Sequence, residues 1–389
     1  MTESREVGML VSERDLSPPS KMKTCSPLRR LTVIGSLAIG ALSMPTSPAT
    51  AATLSPVTGF LKFLCPGGSD TVVSVPFHRS PRWDGLLSGP PVGAGAGRMR
   101  LDLAGSPAFA GSELTDAPHW LYCRDGGGAK GRHFLVVARG ADFVELQATA
   151  ADLDGLTTNG RISLIPAWTL AGLFPPGAQT AFHPSTGPLL SQRGSELLTF
   201  DANGNGSSLA PAHRYYVTNS AWQEVGEYAA DAGGTVLAPG EAFVVRHATG
   251  SLATTLLFLE RVYGETVTLP LRIGGAWSQD TMLALPRPVT IALDQLDFGA
   301  GQFTESSSTD PADRKDELLV YDSLALGLNK MPAITYFRTA GQWVKAGPNT
   351  PAGAETIAPA SGLLIRKAPG GAPAILQWAN LPTYDLTAP

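Results

Sequence analysis

The feature that most constrains the fold is a series of short apolar runs, each closed by turn-forming residues. The runs are rich in valine, isoleucine, leucine and aromatic residues, and no amphipathic helical pattern of useful length follows Ala52. They read DTVVSVPF, HFLVVARG, RISLIPAWTL, RYYVTN, EAFVVRHA, TVTLPLRI and GLLIRKA. Strands without intervening helices predict an all-β fold of antiparallel sheets, packed as in a sandwich.

The composition excludes two broad classes of protein. With 43% hydrophobic and only 16% charged residues the chain is globular rather than disordered, and its 43 glycines and 32 prolines indicate many turns. Lysine and arginine (29 residues) are slightly outnumbered by aspartate and glutamate (33), and no basic run follows Ala51. We therefore expect no nucleic-acid partner.

The N-terminus has the pattern of an export signal peptide. Basic residues precede the apolar run Leu31–Leu42, and small residues follow it, among them Ala49 and Ala51. The arrangement predicts that residues 1–51 hold the signal peptide and the residues before it, with cleavage after Ala51. The apolar run is shorter than the about 20 residues that cross a bilayer, so we expect no membrane span after cleavage. The mature protein is predicted to be extracellular, at the cell surface or periplasmic.

The predicted export determines what is expected of the three cysteines. Translation can begin at Met1 or at Met22, since the residues between them are mostly polar, and in either case Cys25 precedes the apolar run and is removed with the signal peptide. Cys65 and Cys123 remain. Because export permits a disulfide bond, we predict that these two residues form one, with two buried thiols as the alternative.

The second half of the chain repeats part of the first. Glu196–Gly226 aligns without a gap on Glu317–Gly347, with 11 identities in 31 positions. Upstream, Ser69–Pro76 resembles Gln279–Pro286, although the spacing to the main match is 89 residues longer in the first copy. Two β units of one kind are therefore predicted.

The difference in spacing places an insertion in the first unit. We predict a first β unit at 52–262 and a second at 263–389, with the insertion at about 87–191. The stretch Arg132–Leu170 within it predicts three further strands.

One stretch resembles the start of a calcium-binding loop. Asp201, Asn203, Asn205 and the following glycine have the order D-x-N-x-N-G, but the twelfth position is Ala212, where such a loop needs a bidentate carboxylate. The second repeat has leucines in place of both asparagines. The pattern favours a turn whose leading aspartate caps its own backbone.

Other motifs lack the residues that a catalytic or cofactor site needs. Asp152–Gly160 places two carboxylates close together but has the composition of a turn, and Arg124–His133 is glycine-rich without matching a phosphate-binding loop. No G-x-S-x-G elbow occurs, and no H-x-H or H-E-x-x-H pattern is present. The histidines are His78, His119, His133, His183, His213 and His247. We predict no catalytic, cofactor-binding or metal-ligating residues.

Paired charges recur in the two repeats. Glu196 and Glu317 could be the two carboxylates of a glycosidase, which lie about 5–10 Å apart. They occupy the same place in the two repeats, however, so each would lie in its own unit, and this argues against a shared site. Arg246 and Arg366 also repeat, and we expect each to lie near an acidic partner of its own unit.

Two aromatic pairs recur as well. Each repeat predicts a hairpin around a two-residue turn, which places Trp222 diagonal to Tyr215 and Trp343 diagonal to Tyr336. Such pairs can serve as sugar-stacking platforms. Their presence in both copies favours a role in the core instead, because aromatic rings bury a large area.

The mature chain resembles a secreted paralogous family of Verrucomicrobia of unknown function. The segments that carry the resemblance are GSDTVVSVPF, AKGRHFLVVARGAD, ISLIPAWTLAGLFP, ELLTFD, YYVTNSAWQEVG, DELLVYDSLALGLNKMP and GLLIRKAPG. The resemblance implies export, a predominantly β structure and many paralogues per genome. It implies no catalytic residues.

Two functions fit these observations. The favoured one is an exported, non-enzymatic surface or extracellular β protein with a structural or ligand-binding role, whose partner would be an extracellular polysaccharide or protein. The alternative is an extracellular polysaccharide-acting hydrolase with its site in the 87–191 insertion. A cleft with convergent carboxylates would favour the hydrolase.

Calcium should not raise the melting temperature of the mature protein, because the loop that starts at Asp201 has Ala212 where the last carboxylate ligand would stand. An ion that binds only the folded state must stabilise it by mass action. Thermal denaturation with and without calcium measures the effect. A calcium-dependent increase that is lost in Asp201→Ala would contradict the prediction.

Overall fold

The computed structural model describes residues 57–384 and 386, except 106, 108, 110–113, 115 and 202. The predicted signal peptide at 1–51 lies outside the described residues. Strands account for 43% and helices for 6% of the structure, in several antiparallel sheets, so the predicted all-β, sandwich-like fold is confirmed. Within the described residues, no helix is long and apolar enough to cross a membrane.

The strands are short and follow one another closely. In chain order they are β1 (Thr58–Cys65), β2 (Asp70–Val73), β3 (Phe77–His78), β4 (Trp83–Leu86), β5 (Val92–Gly95), β6 (Arg98–Asp102), β7 (His119–Cys123), β8 (His133–Arg139), β9 (Phe143–Gln147), β10 (Arg161–Pro166), β11 (Trp168–Thr169), β12 (Ser195–Thr199), β13 (His213–Val217), β14 (Trp222–Glu224), β15 (Val236–Leu237), β16 (Phe243–His247), β17 (Thr254–Val262), β18 (Val267–Gly275), β19 (Gln279–Ala284), β20 (Ile291–Ala292), β21 (Glu317–Val320), β22 (Ile334–Thr339), β23 (Gln342–Lys345), β24 (Thr350–Pro351), β25 (Thr356–Ile357), β26 (Gly362–Lys367) and β27 (Gly370–Asn380). The helical segments are α1 (Leu170–Leu173) and the 3-10 turns Gly127–Ala129, Leu190–Gln192, Ala232–Gly234, Leu293–Gln295 and Pro311–Asp313.

The strand ladders divide into three bodies along the chain. The first unit (β1–β3 and β11–β17) has a sheet of order β2-β16-β12-β13-β14 and a ladder of β1 with β17. The second unit (β18–β27) has the order β19-β26-β21-β22-β23-β24 and a ladder of β18 with β27. The insertion sheet (β4–β10) has the order β4-β10-β7-β8-β9-β6-β5. The two units therefore share a strand order. Along the chain, the first unit ends with β17 and the second begins with β18.

The register of the two main sheets corresponds as well. Glu196 lies opposite Arg246 between β12 and β16, and Glu317 lies opposite Arg366 between β21 and β26. In the β22–β23 hairpin Ala340 has a positive φ of 49°, as the favoured two-residue hairpin turns require. The two sheets thus have the same strand order and register because the two sequences have similar patterns of apolar and turn residues.

Each unit has its own hydrophobic core. Trp222 (0% exposed) and Tyr215 (3%) lie in the core of the first unit, and Trp343 (3%) and Tyr336 (3%) lie in that of the second. The prediction that both aromatic pairs belong to the core is confirmed. The indole nitrogen of Trp222 donates to the carbonyl of Phe174 (2.8 Å), so the ring brings no unsatisfied polar group with it.

The insertion sheet occupies Trp83–Pro166 and not the whole of 87–191. The three strands predicted within Arg132–Leu170 are present as β8, β9 and β10, and β4–β7 join them around a separate core. After Pro166 the chain returns to the first unit, where β11 pairs with β15 and Leu170 of α1 enters the core. The boundary differs because Trp168 and Leu170 complete the first unit's core.

The predicted disulfide bond between Cys65 and Cys123 is wrong. Both residues are buried free thiols, Cys65 in the core of the first unit and Cys123 in the core of the insertion sheet. Burial raises the pKa of Cys65 to about 11 and that of Cys123 to about 12. Two thiols in separate cores cannot approach to bonding distance, so the alternative of two buried thiols is correct.

The two units are joined by a reciprocal exchange of loops. In the first unit the loop after β12 reaches β19, where the amide of Asp280 donates to the carbonyl of Gly206 (2.9 Å). In the second unit the loop after β21 reaches β2, where the amide of Asp70 donates to the carbonyl of Gly327 (2.9 Å). Each glycine has a positive φ, 101° and 130°. The contact is self-complementary, like that of a two-fold symmetric dimer.

A second set of equivalent hydrogen bonds completes this contact. The amide of Ser208 donates to the carboxylate of Asp280 (2.6 Å), and the amide of Asn329 donates to that of Asp70 (2.6 Å). These four hydrogen bonds use only backbone groups of the loops, so they do not depend on the identity of the loop side chains. Between the sheets lies a small apolar cluster, which comprises Val72, Leu198, Ala242, Val244 and Ala284.

The same two aspartates bind the repeated arginines. Arg246 donates through two nitrogens to Asp70 (2.7 and 2.7 Å), and Arg366 does so to Asp280 (2.8 and 2.9 Å). The expectation that each arginine has an acidic partner in its own unit is confirmed. Each aspartate therefore links a sheet of its own unit to a loop of the other.

Asp70→Asn should destabilise the protein by about 3 kcal/mol, because it leaves the half-buried guanidinium of Arg246 without its carboxylate. Urea unfolding measures the change. Asp116→Asn is the matched control: Asp116 also pairs with an arginine, Arg82, but the two side chains are 50% and 47% exposed, so the cost should be below about 1 kcal/mol. Equal costs for the two variants would contradict this account.

Candidate functional site

A cleft lies where the insertion sheet meets the two units. Its cavity volume is about 250 Å³. The side chains that form its walls come from all three bodies and are mostly apolar. They include Trp120 and His133 of the insertion sheet, Phe200, Leu209, Pro239 and Glu241 of the first unit, and Thr268, Leu269, Pro270, Arg272, Asp280 and Met282 of the second. A smaller cavity adjoins it behind Trp120, His133 and Glu241.

The insertion sheet closes the cleft by binding the second unit. The connector between β7 and β8 lies against β18, where the amide of Thr268 donates to the carbonyl of Gly131 (2.9 Å) and its hydroxyl to that of Lys130 (2.7 Å). A Cβ on Gly131 would lie 2.6 Å from the Thr268 hydroxyl oxygen, so no larger residue fits. Arg124 adds an ion pair with Glu265 (2.6 Å). The glycine-rich stretch is thus a packed contact.

Among the described residues, two carboxylates of the cleft wall form no ion pair, Asp201, which is exposed, and Glu241, which is half-buried. One carboxylate oxygen of Glu241 accepts a hydrogen bond from the amide of Ala238 (2.9 Å). Burial raises the pKa of Glu241. No arginine or lysine among the described residues forms an ion pair with it. In the second unit Ser361 stands at the equivalent position, three residues after the matched Ala-Pro pair begins.

Asp280 and Asp201 also have partners within the fold. Asp280 is held by Arg366, and Asp201 accepts a hydrogen bond from the amide of Asn203 (2.7 Å). The interpretation of Asp201 as a residue that caps its own backbone is confirmed. Arg272 donates to the side-chain oxygens of Asn203 (3.1 Å) and Asn205 (3.3 Å). A guanidinium therefore occupies the oxygens that a calcium loop would have turned toward a metal ion.

Two half-buried histidines line the smaller cavity together with Glu241, and neither forms an ion pair with a carboxylate. Burial lowers the pKa of His133 to about 3 and that of His78 to about 4, so both are neutral near pH 7. His133 stacks on Tyr122 (ring centroids 4.6 Å apart), and His78 packs against Tyr263 with the two rings tilted by 44° (4.5 Å). Across the described residues, no group of three or more histidine, cysteine, aspartate or glutamate side chains is arranged to hold a metal ion.

A serine and a histidine meet elsewhere, but inside the core. Ser195 donates to Nδ1 of His247 (2.7 Å), and Nε2 of His247 donates to the hydroxyl of Thr254 (2.7 Å). Ser195 is 1% exposed and His247 is 0% exposed, so no substrate reaches them. At the equivalent positions of the second unit Asp316 and Lys367 form a buried ion pair. Both pairs therefore satisfy buried polar groups and are structural.

Glu196 and Glu317 are not brought together. Each lies in its own sheet and pairs with an arginine three residues earlier, Arg193 for Glu196 and Arg314 for Glu317 (3.6 Å). Asp152, in the acidic turn noted in the sequence, pairs with Arg132 (2.9 Å). These carboxylates are parts of ion pairs, and none of them lines the cleft.

Comparisons with protein-family models, curated proteins and solved structures found no match. The cleft must therefore be interpreted from its own geometry.

Two signals in the sequence were missed. The repeat extends upstream, because Val57–Pro76 aligns without a gap on Val267–Pro286, and this would have revealed that β1 and β18 are equivalent. Glu241 was also missed. It follows a matched Ala-Pro pair and faces Ser361 in the alignment, so it is a charged side chain that only one copy has.

Stability should fall as the pH decreases from about 6.5 to about 5, because His133, His78 and His247 are buried in the neutral form. Their folded-state pKa values, about 3, 4 and 4, lie below the ordinary value of 6.5, so the unfolded chain binds more protons in this window. Urea unfolding across the window measures the slope, to which each histidine adds at most about 1.4 kcal/mol per pH unit. His133→Gln should reduce the slope, and an unchanged slope would contradict the account.

Proposed function

We propose that the protein is an exported, non-enzymatic β protein of the cell surface or extracellular space that binds a ligand in the cleft beside Glu241. The observation that carries the proposal is the position of this cleft. It lies where the insertion sheet covers a duplicated scaffold on one side only, and it contains an acidic side chain that the second unit lacks. A concave, mostly apolar site with a few polar groups is the usual form of a binding pocket.

The proposal includes the duplication of one β unit and the export of the protein. The two units are copies of one β unit, which the equal strand order and the equivalent loop contacts support. Export is supported by the apolar run Leu31–Leu42 with its flanking basic and small residues. The resemblance to the secreted Verrucomicrobia family agrees with both. Extracellular polysaccharides and proteins are the partners to test first.

A polysaccharide-acting hydrolase is the second candidate. A half-buried carboxyl group whose pKa is raised by desolvation, as at Glu241, suits a general acid. Glycosidases need a second carboxylate across the substrate, and the other two in the cleft, Asp201 and Asp280, are bound to Asn203 and Arg366. The geometry therefore favours binding over hydrolysis.

Ala238→Trp should abolish binding of a ligand that occupies the cleft, because Ala238 lies on its wall and a tryptophan there would fill it. Ala358→Trp is the matched control, since Ala358 is the equivalent residue of the second unit and does not line the cleft. The mature protein would be screened against cell-wall and extracellular glycans for binding and for turnover.

The two variants and the turnover assay separate the candidates. Binding that is lost in Ala238→Trp and kept in Ala358→Trp, without turnover, supports the proposal. Binding that neither variant changes overturns it. Turnover of a glycan that is lost in Glu241→Gln would establish the hydrolase instead. Thermal denaturation of each variant confirms that the fold is kept.

A further inference from the structure

We infer that the ligand of the cleft is a small organic cation, with an ammonium group carried on a single ring or a similarly short apolar body. This inference rests on the proposed function, since it names the chemistry of the same cleft. It depends on the charge of Glu241, on the neutral groups around it and on the size of the cavity.

The first argument is that Glu241 differs from the fully buried carboxylates, because it is half-buried in the cleft wall and is not part of an ion pair among the described residues. Asp70, Glu196, Asp280 and Asp316 are each at most 4% exposed, and each contacts an arginine or lysine. Removing a carboxylate from water is costly unless a cation or several hydrogen bonds replace the solvent. Glu241 has one amide donor and no arginine or lysine in the described structure. A cationic ligand would supply the missing partner.

The second argument is that the groups around Glu241 leave room for a positive charge. His133 is neutral near pH 7 because burial lowers its pKa to about 3. Asp280 and Arg366 neutralise one another. Arg272, the remaining cation on the cleft wall, donates to the amide oxygens of Asn203 and Asn205.

The acidic groups outnumber the basic ones once the Asp280 pair is set aside. Asp201 and Glu241 are both acidic and line the same cavity, against Arg272 alone. An anionic ligand would meet this excess of negative charge at short range, where opposite charges attract and like charges repel most strongly.

The third argument concerns the size and surface of the cavity. Its volume of about 250 Å³ lies below the common range of about 300–1,000 Å³ for drug-sized ligands, so the ligand has about one ring. Trp120, Phe200 and Met282 line the cavity. The faces of aromatic rings attract organic cations and also pack against apolar groups. Nε1 of Trp120 is buried without a hydrogen-bond partner, and a ligand acceptor could satisfy it.

The test compares rings that differ in charge or in polarity. Cyclohexylamine and glucosamine carry an ammonium group, cyclohexanol and glucose are their uncharged counterparts, and cyclohexanecarboxylate is the anionic probe. Isothermal titration of each into the mature protein should give binding for the amines that exceeds that of the uncharged ring by about tenfold or more, and no binding for the carboxylate.

Two variants locate the effect. Glu241→Gln keeps the shape of the side chain and removes its charge, so it should weaken amine binding by about tenfold or more. Glu227→Gln removes an exposed carboxylate of the same unit outside the cleft and should leave the affinity unchanged. Ala238→Trp should abolish amine binding as it does that of the screened ligand.

Each outcome decides the inference without deciding the proposed function. Amine binding that depends on Glu241 supports the inference. Four outcomes overturn it. They are equal affinity for cyclohexanol and the amines, binding of the carboxylate, amine binding that is unchanged in Glu241→Gln, and no binding of either amine. In those cases a neutral or anionic ligand that Ala238→Trp displaces would still support the cleft as a binding site. The proposed function is tested separately, by the glycan screen with Ala238→Trp and Ala358→Trp.

Discussion

The structure depends on two aspartates that each bind in two directions. Asp70 and Asp280 hold the guanidinium of an arginine in their own sheet and accept a hydrogen bond from a loop of the other unit. A buried carboxylate needs several partners to replace water, and here no single unit supplies them all. The two units are consequently stable as a pair, in which a loop of each supplies a hydrogen bond to the buried aspartate of the other. These hydrogen bonds come from backbone amides, so they do not depend on the loop side chains.

The insertion sheet breaks this equivalence and thereby creates the cleft. It leaves the first unit after β3 and binds the second unit through Thr268, Gly131 and the ion pair of Arg124 with Glu265. One side of the paired units is covered as a result, and the covered side is where Glu241 stands. A symmetric scaffold would present two open surfaces, whereas the insertion turns one of them into a mostly apolar cleft.

One pair of buried polar positions is satisfied differently in the two units. The first unit uses the hydrogen bond of Ser195 with His247, and the second uses the ion pair of Asp316 with Lys367 at the same two places. In both units the buried polar side chains at these two positions bind one another. The carboxylate of Glu241 has no comparable partner, and this distinguishes a group available to a ligand from groups that maintain the fold.

The amino-acid sequence by itself determined the β class, the equivalent hairpins, the burial of Trp222 and Trp343 and the capping role of Asp201. These are local or repeated properties, set by side-chain periodicity, turn residues and ring area. Only the tertiary structure decided that Cys65 and Cys123 lie in separate cores and that the insertion begins before residue 87. It also decided the cleft, because Glu241, Trp120 and Met282 come from three bodies that are distant in the chain and converge only when those bodies pack.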